Sequence, residues 1–127
     1  MNAYADTSAL LKALVEEDHS EALVDHVQDD ILLSSAVLVT EVHRAADRLG
    51  IDHAVADTIL AGVDLLDLTP AILLRAGLLP FSGLRSLDAI HIASALVGGA
   101  DEFLTYDDRQ AAAARSVGLR VVSPGVV

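Results

Sequence analysis

Two kinds of apolar segment alternate along this chain, and that alternation restricts the fold more than any other feature. The short runs "MNAYA", "DILLS", "DLLDL", "EFLTY" and "LRVVS" read as strands. Between them, "TSALLKALVEE", "DHSEALVDHVQ", "SAVLVTEVHRAADRLG", "IDHAVADTILAGV", "TPAILLRAGLL", "SLDAIHIASALVGG" and "DDRQAAAARSVG" read as helices, and "PFSGLR" as a loop. In the first of these helices Leu10, Leu11, Leu14 and Val15 recur at helical spacing. Several segments carry their own boundary signals. Asp18 and Glu21 have capping-box spacing, Asp52, Thr69 and Ser86 stand at N-cap positions, Pro70 follows Thr69, and Gly50 is placed to stop a helix. Apolar strands that alternate with helices imply an α/β fold, a mostly parallel central sheet flanked by helices on both faces.

With 127 residues, the chain is expected to form one domain over 1–127. Hydrophobic residues make up 53%, but only two Tyr and two Phe are present, so Leu, Val, Ile and Ala must build the core. The long apolar stretch "LTPAILLRAGLLPFSGL" is interrupted by Pro70, Arg75 and Pro80, so no membrane span is expected. The start has no basic region and meets Asp6 early, unlike a secretory signal. There is no cysteine, which excludes disulfides and thiolate metal sites and accords with a cytoplasmic location. The net charge of -11 argues against broad electrostatic binding of nucleic acid, because that binding relies on Lys and Arg releasing counterions. Any action on nucleic acid therefore needs a bound cation, a local Arg patch or a basic partner.

Asp6 directly follows the first strand, and Asp107 follows "EFLTY". In open parallel sheets ligands bind beyond the carboxyl ends of the strands, so both acids are expected on one rim. Asp88 lies in the first turn of its helix, and a first-turn side chain projects toward the helix N-terminus. Glu41 sits among Val37, Leu38 and Val42. Each acid also has a plain structural reading: helix caps for Asp6 and Asp107, dipole matching for Asp88, a solvated helix residue for Glu41. As a group they demand more. Two carboxylates about 4 Å apart repel by roughly 4 kcal/mol at an effective dielectric of about 20, so four gathered acids must protonate or bind a cation. An all-oxygen set suits Mg2+, with Mn2+ as the alternative. Such an ion activates water and stabilises phosphate charge, which makes phosphodiester hydrolysis the natural reaction. His91 stands three residues after Asp88, on a shared helical face, and reads as a buried histidine bonded to that Asp or as an orienter of a carboxylate or water. Ser8 and Thr105 lie two residues from Asp6 and Asp107, placed either to bond those carboxylates or to cap. His19, His26, His43 and His53 show no ligand-pair spacing.

Four blocks, "YADTSALLKALVEE", "TEVHRAADRLG", "LDAIHIASAL" and "FLTYDDRQAAAARSVGLRVV", resemble in that order those of PIN-domain proteins, most closely the small VapC-type toxins. The resemblance covers nearly the whole chain. It implies a PIN-like three-layer sandwich and a metal-dependent ribonuclease with Asp6, Glu41, Asp88 and Asp107 as the acidic quartet. Asp6, Asp88 and Asp107 would be the metal ligands, with Ser8 and Thr105 as supporting hydroxyls. It further implies RNA as substrate, a homodimer and a cognate VapB-type antitoxin. One departure stands out: Asp108 occupies a position that is often basic in the family. Arg109 and Arg115 are then the candidate phosphate contacts, or simply solvated helix charges. A non-cleaving RNA- or protein-binding module remains the alternative. A phospho-acceptor domain would need a rim lysine, and Lys12, the sole lysine, falls in the first helix.

Overall fold

The structure is a computed structural model that describes residues 1–15 and 19–126. Five strands, β1 (Asn2–Ala5), β2 (Ile31–Ser35), β3 (Asp64–Leu66), β4 (Glu102–Leu104) and β5 (Val121–Val122), form one sheet in the order β3-β2-β1-β4-β5. Every neighbouring pair is parallel. The helices are α1 (Thr7–Leu14), α2 (Ser20–Val27), α3 (Leu38–Leu49), α4 (His53–Ala61), α5 (Pro70–Gly77), α6 (Ser86–Val97) and α7 (Asp108–Ser116).

Alternation along the strands assigns the two faces. Ala3, Ala5, Leu32 and Leu104 pack with Ala9 and Leu10 of α1, Leu23 of α2, Leu38 and Val42 of α3 and Ala56 of α4. Tyr4, Leu33 and Phe103 point the other way, against Ile92 and Ala95 of α6 and Ala113 and Ala114 of α7. Ile72 and Ala76 of α5 close onto Ala89 and Ala93 of α6. The result is three layers, as the apolar strands required. Small side chains let α6 lie close to the sheet, and Tyr4 stacks on Phe103 at 5.5 Å.

Local signals set most helix ends. The Asp52 carboxylate accepts from Ala54 N–H at 2.8 Å, and Thr69 Oγ1 from Ile72 N–H at 3.2 Å with Pro70 in the first turn. Gly50 ends α3 at φ 69, a left-handed conformation that only glycine adopts without strain. Two expectations need correction. Ser86 does not cap α6: it is the first helical residue, Arg85 is the N-cap, and no side chain bonds there. The helix around Glu41 starts at Leu38, because Ser35 is still paired in β2. Asp18, the other half of the expected capping box, lies outside the described residues, and the N-cap position of α2 is His19. No helix among the described residues is long and apolar enough to cross a membrane.

From β1 the chain steps outward to β2 and β3, then returns to β4 on the opposite side of β1 and ends at β5. The point where the order reverses lies between β1 and β4. Crevices open at the carboxyl ends of strands at such points.

Candidate active site

Asp6 leaves the end of β1 and caps α1; Asp107 follows β4 and caps α7. Both lie on the rim beside the β1–β4 reversal. Asp88 sits in the first turn of α6 and Glu41 in the first turn of α3. A cleft of about 190 Å³ is lined by all four acids, together with Thr7, Ser8, Leu11, Arg85 and His91. Four elements far apart in sequence thus deliver one carboxylate each to one small hollow.

Asp6 is 4% exposed. Its Oδ1 accepts from Ser8 Oγ at 2.7 Å and from Ala9 N–H at 3.0 Å, and its Oδ2 accepts from Thr105 Oγ1 at 2.5 Å. Burial pushes its pKa above the ordinary carboxylate range, against the pull of these hydrogen bonds. Ser8 and Thr105 also brace the rim. Ser8 Oγ accepts from Tyr106 N–H at 2.9 Å, and Thr105 Oγ1 accepts from Asp107 N–H at 3.1 Å. Two hydroxyls therefore fix Asp6 and stitch the ends of β1 and β4 together.

His91 is 1% exposed and does not bond Asp88, the partner its spacing suggested. Its Nε2 lies 2.7 Å from Glu41 Oε1 and 3.2 Å from Thr7 Oγ1, and its Nδ1 lies 2.8 Å from Tyr4 Oη. A carboxylate only accepts, so Nε2 carries the proton and donates to Glu41. In the neutral ring Nδ1 then accepts from the Tyr4 hydroxyl, so the two partners select the Nε2-protonated tautomer. Tyr4 is fully buried and T-shaped to the same ring at 5.8 Å. A chain of hydrogen bonds therefore runs from the core under β1 to the Glu41 carboxylate. Asp88, on the exposed shoulder of α6, turns to Arg85, whose Nε is 3.3 Å from Asp88 Oδ2. An Arg85 terminal nitrogen is also 4.0 Å from Asp107 Oδ2.

Mutual repulsion among the acids is thus eased by hydroxyls at Asp6, by His91 at Glu41 and by the shared Arg85 at Asp88 and Asp107. Among the described residues, the group whose ligand atoms all lie within 4.8 Å of one another is elsewhere: His26, Asp30 and Glu102. It sits at the opposite ends of the strands, where the buried Glu102 accepts from His26 Nε2 at 2.8 Å. That pairing answers the cost of burying a carboxylate. His43 and His53 also meet, Nδ1 to Nδ1 at 2.7 Å, with Asp57 on the other side of His43 at 2.9 Å. A separation of ten residues across a helix junction shows no such pair in sequence.

Arg109 and Arg115 do not line the cleft. Arg109 instead donates to Gly83 O at 3.3 Å. The cation at the rim is Arg85, which the sequence reading left in a loop. Its one visible signal was the i, i+3 spacing to Asp88. Tyr4 and Thr7 were likewise missed, since their roles depend on a histidine more than 80 residues away.

Comparison with known proteins points the same way. The PIN domain family matches residues 3–116. Ribonuclease VapC46 of Mycobacterium tuberculosis is 40% identical over 126 residues, covering 95% of this chain and 96% of that protein. VapBC2 from Rickettsia felis, solved bound to a promoter DNA fragment, superposes with a TM-score of 0.76 at 12% identity, covering 98% of this chain and 99% of that one. VapC20 of Mycobacterium tuberculosis, a sarcin-ricin loop cleaving toxin, superposes at 0.73 with 17% identity and 96% and 99% coverage. The two structural likenesses establish the fold, the sequence relationship establishes descent, and the chain belongs to the PIN domain family.

Proposed function

We propose that this protein is a divalent-metal-dependent endoribonuclease acting as the toxin of a toxin–antitoxin pair, with the whole of 1–127 forming one PIN domain. The observation that carries this reading is the convergence of Asp6, Glu41, Asp88 and Asp107 on one rim cleft, in a chain whose 40%-identical relative is a named ribonuclease. The donor set fits a hard cation. It is entirely oxygen, and the Arg85 guanidinium already stands near oxygens of both Asp88 and Asp107 as a positive group. Asp6, Asp88 and Asp107 are the residues that would hold Mg2+ or Mn2+. Bound there, the ion would supply a lowered water pKa and a counter-charge for the phosphate.

The chain's own groups do the rest. Ser8 and Thr105 hold both Asp6 oxygens with hydroxyl donors and so keep its carboxylate aimed in a buried setting. Glu41, steadied through Oε1 by His91, orients the attacking water and takes its proton. Leu11 forms an apolar wall. A hollow of about 190 Å³ lined by four carboxylates and one guanidinium suits an ion, its waters and a phosphate group. An acidic protein of this kind meets a basic partner favourably, which suits the cognate VapB-type antitoxin. The exposed Leu73 and Leu74 of α5, with Leu78 at its C-cap, give an apolar face for a second copy or for that antitoxin. Its working place is the cytoplasm, where RNA is the substrate.

The test is cleavage of an RNA substrate in Mg2+ and in Mn2+. EDTA should abolish it, and Asp88→Asn should remove it while leaving the melting temperature close to wild type. Cleavage that persists after both treatments, or saturable RNA binding without turnover in either ion, would overturn the reading in favour of a binding module.

A further inference from the structure

Arg85 is the one Lys or Arg that lines the acidic cleft among the described residues. Its root is fixed: it is the N-cap of α6, and its carbonyl accepts from Ala89 N–H at 2.9 Å. The preceding turn is pinned as well, by the Arg109 guanidinium on Gly83 O, and Gly83 takes φ 79, which favours glycine. Its tip is free of packing, with 78% of the side chain exposed. That tip engages Asp88 Oδ2 at 3.3 Å and approaches Asp107 Oδ2 at 4.0 Å, oxygens on two of the three residues assigned to the ion.

A guanidinium and a divalent cation compete for those oxygens, because each seeks the same negative charge and the two cations repel each other. Exposed ion pairs are weak, so the ion displaces Arg85 easily. The displaced guanidinium remains tethered at the rim of the hollow that takes the phosphate, and planar bidentate geometry suits it to phosphate oxygens. In a chain of net charge -11 it is the side chain best placed to meet RNA there. Resting on the nuclease reading above, we infer that Arg85 works in two positions: over Asp88 and Asp107 in the ion-free protein, and on a backbone phosphate of the RNA once the ion is bound. Arg85 thereby couples ion loading to substrate capture. The ion frees the phosphate ligand, and empty carboxylates hold it back.

The inference predicts effects of opposite sign from one substitution. Arg85→Ala should tighten Mn2+ binding by the whole protein, measured by titration calorimetry without RNA, by about 2- to 10-fold, the range of one or two exposed ion pairs. The same change should weaken binding of a labelled single-stranded oligoribonucleotide, measured by fluorescence anisotropy in Ca2+, by about tenfold. It should also reduce the slope of log affinity against log salt by about 0.7, the signature of one lost phosphate contact. Arg85→Lys should fall between Arg85→Ala and wild type in both assays. The exposed site makes misfolding an unsuitable explanation, and an unchanged melting temperature checks this. Unchanged or weaker Mn2+ binding in Arg85→Ala overturns the resting position. Tighter Mn2+ binding with unaltered RNA affinity overturns the phosphate position. Both readouts are binding equilibria, so they decide the inference even if the wild-type protein cleaves no RNA, an outcome that would instead defeat the nuclease reading.

Discussion

Removing one oxygen atom tests the buried chain beneath the acidic cleft. Tyr4→Phe deletes the hydroxyl that donates to His91 Nδ1 at 2.8 Å, and it keeps the ring stacked on Phe103. Neither Tyr4 nor His91 has access to water, so Nδ1 becomes a buried acceptor without a donor. A tautomer change does not rescue it, because moving the proton to Nδ1 would leave two bare acceptors facing each other at Nε2 and the Glu41 carboxylate. Orphaning a buried polar group costs about 1–3 kcal/mol. The unfolding entropy of a 127-residue chain is roughly 0.27 kcal/mol/K near its midpoint. The melting temperature should therefore fall by about 4–11 °C. Scanning calorimetry of the metal-free protein at neutral pH measures this directly, with circular dichroism to check that the helices persist. A midpoint within about 2 °C of wild type would refute the assignment of a donor–acceptor chain through His91.

Glu41→Gln should behave in the opposite manner: its amide oxygen still accepts from His91 Nε2, so stability should stay within about 0.5 kcal/mol while RNA cleavage is lost. Asp6→Asn should abolish cleavage yet raise the melting temperature of the metal-free protein at pH 7. Burial raises the folded-state pKa of Asp6 above its unfolded value, so the charged form destabilises the fold above that raised pKa; the advantage of Asn should vanish as pH falls into the ordinary carboxylate range, and an advantage that grows toward low pH would contradict it. Asp52→Ala should cost about 1 kcal/mol by unmaking the cap of α4, a loss of roughly 4 °C with no effect on cleavage rate.

The fold was legible where a segment carries its own instructions. Leu and Val at helical spacing, Thr69 followed by Pro70, and Gly50 after α3 each act within one turn, so residues alone place those helices within a few positions. The three layers followed too, because strands apolar on both sides have to be covered twice. The rim position of Asp6 and Asp107 was legible by the same logic. The partner of His91 was not. The i, i+3 rule brings Asp88 near it in a lone helix, but α6 is docked so that His91 enters the core and Asp88 stays on the shoulder. Only the packing of α3 across from α6 brings Glu41, 50 residues away, to His91. Ser86 misled for a related reason: a favoured cap residue is outranked when the approach of the preceding loop puts Arg85 in the capping position. Arg85 itself was hidden because a single guanidinium in a loop acquires meaning only when the folded rim places two acids around it.

One of the two hydroxyls that steady Asp6 belongs to Thr105, 99 residues further along. β1 also finds its β4 neighbour at that distance, with Ala3 opposite Glu102. During synthesis the first acid therefore waits, without the strand on one side of β1 and without Asp107, until most of the chain has been made. Contacts of such long range form late and slowly. A chain truncated before β4 lacks the strand beside β1, the Thr105 hydroxyl on Asp6 and the Asp107 carboxylate, so the last quarter of the sequence is needed to complete the rim.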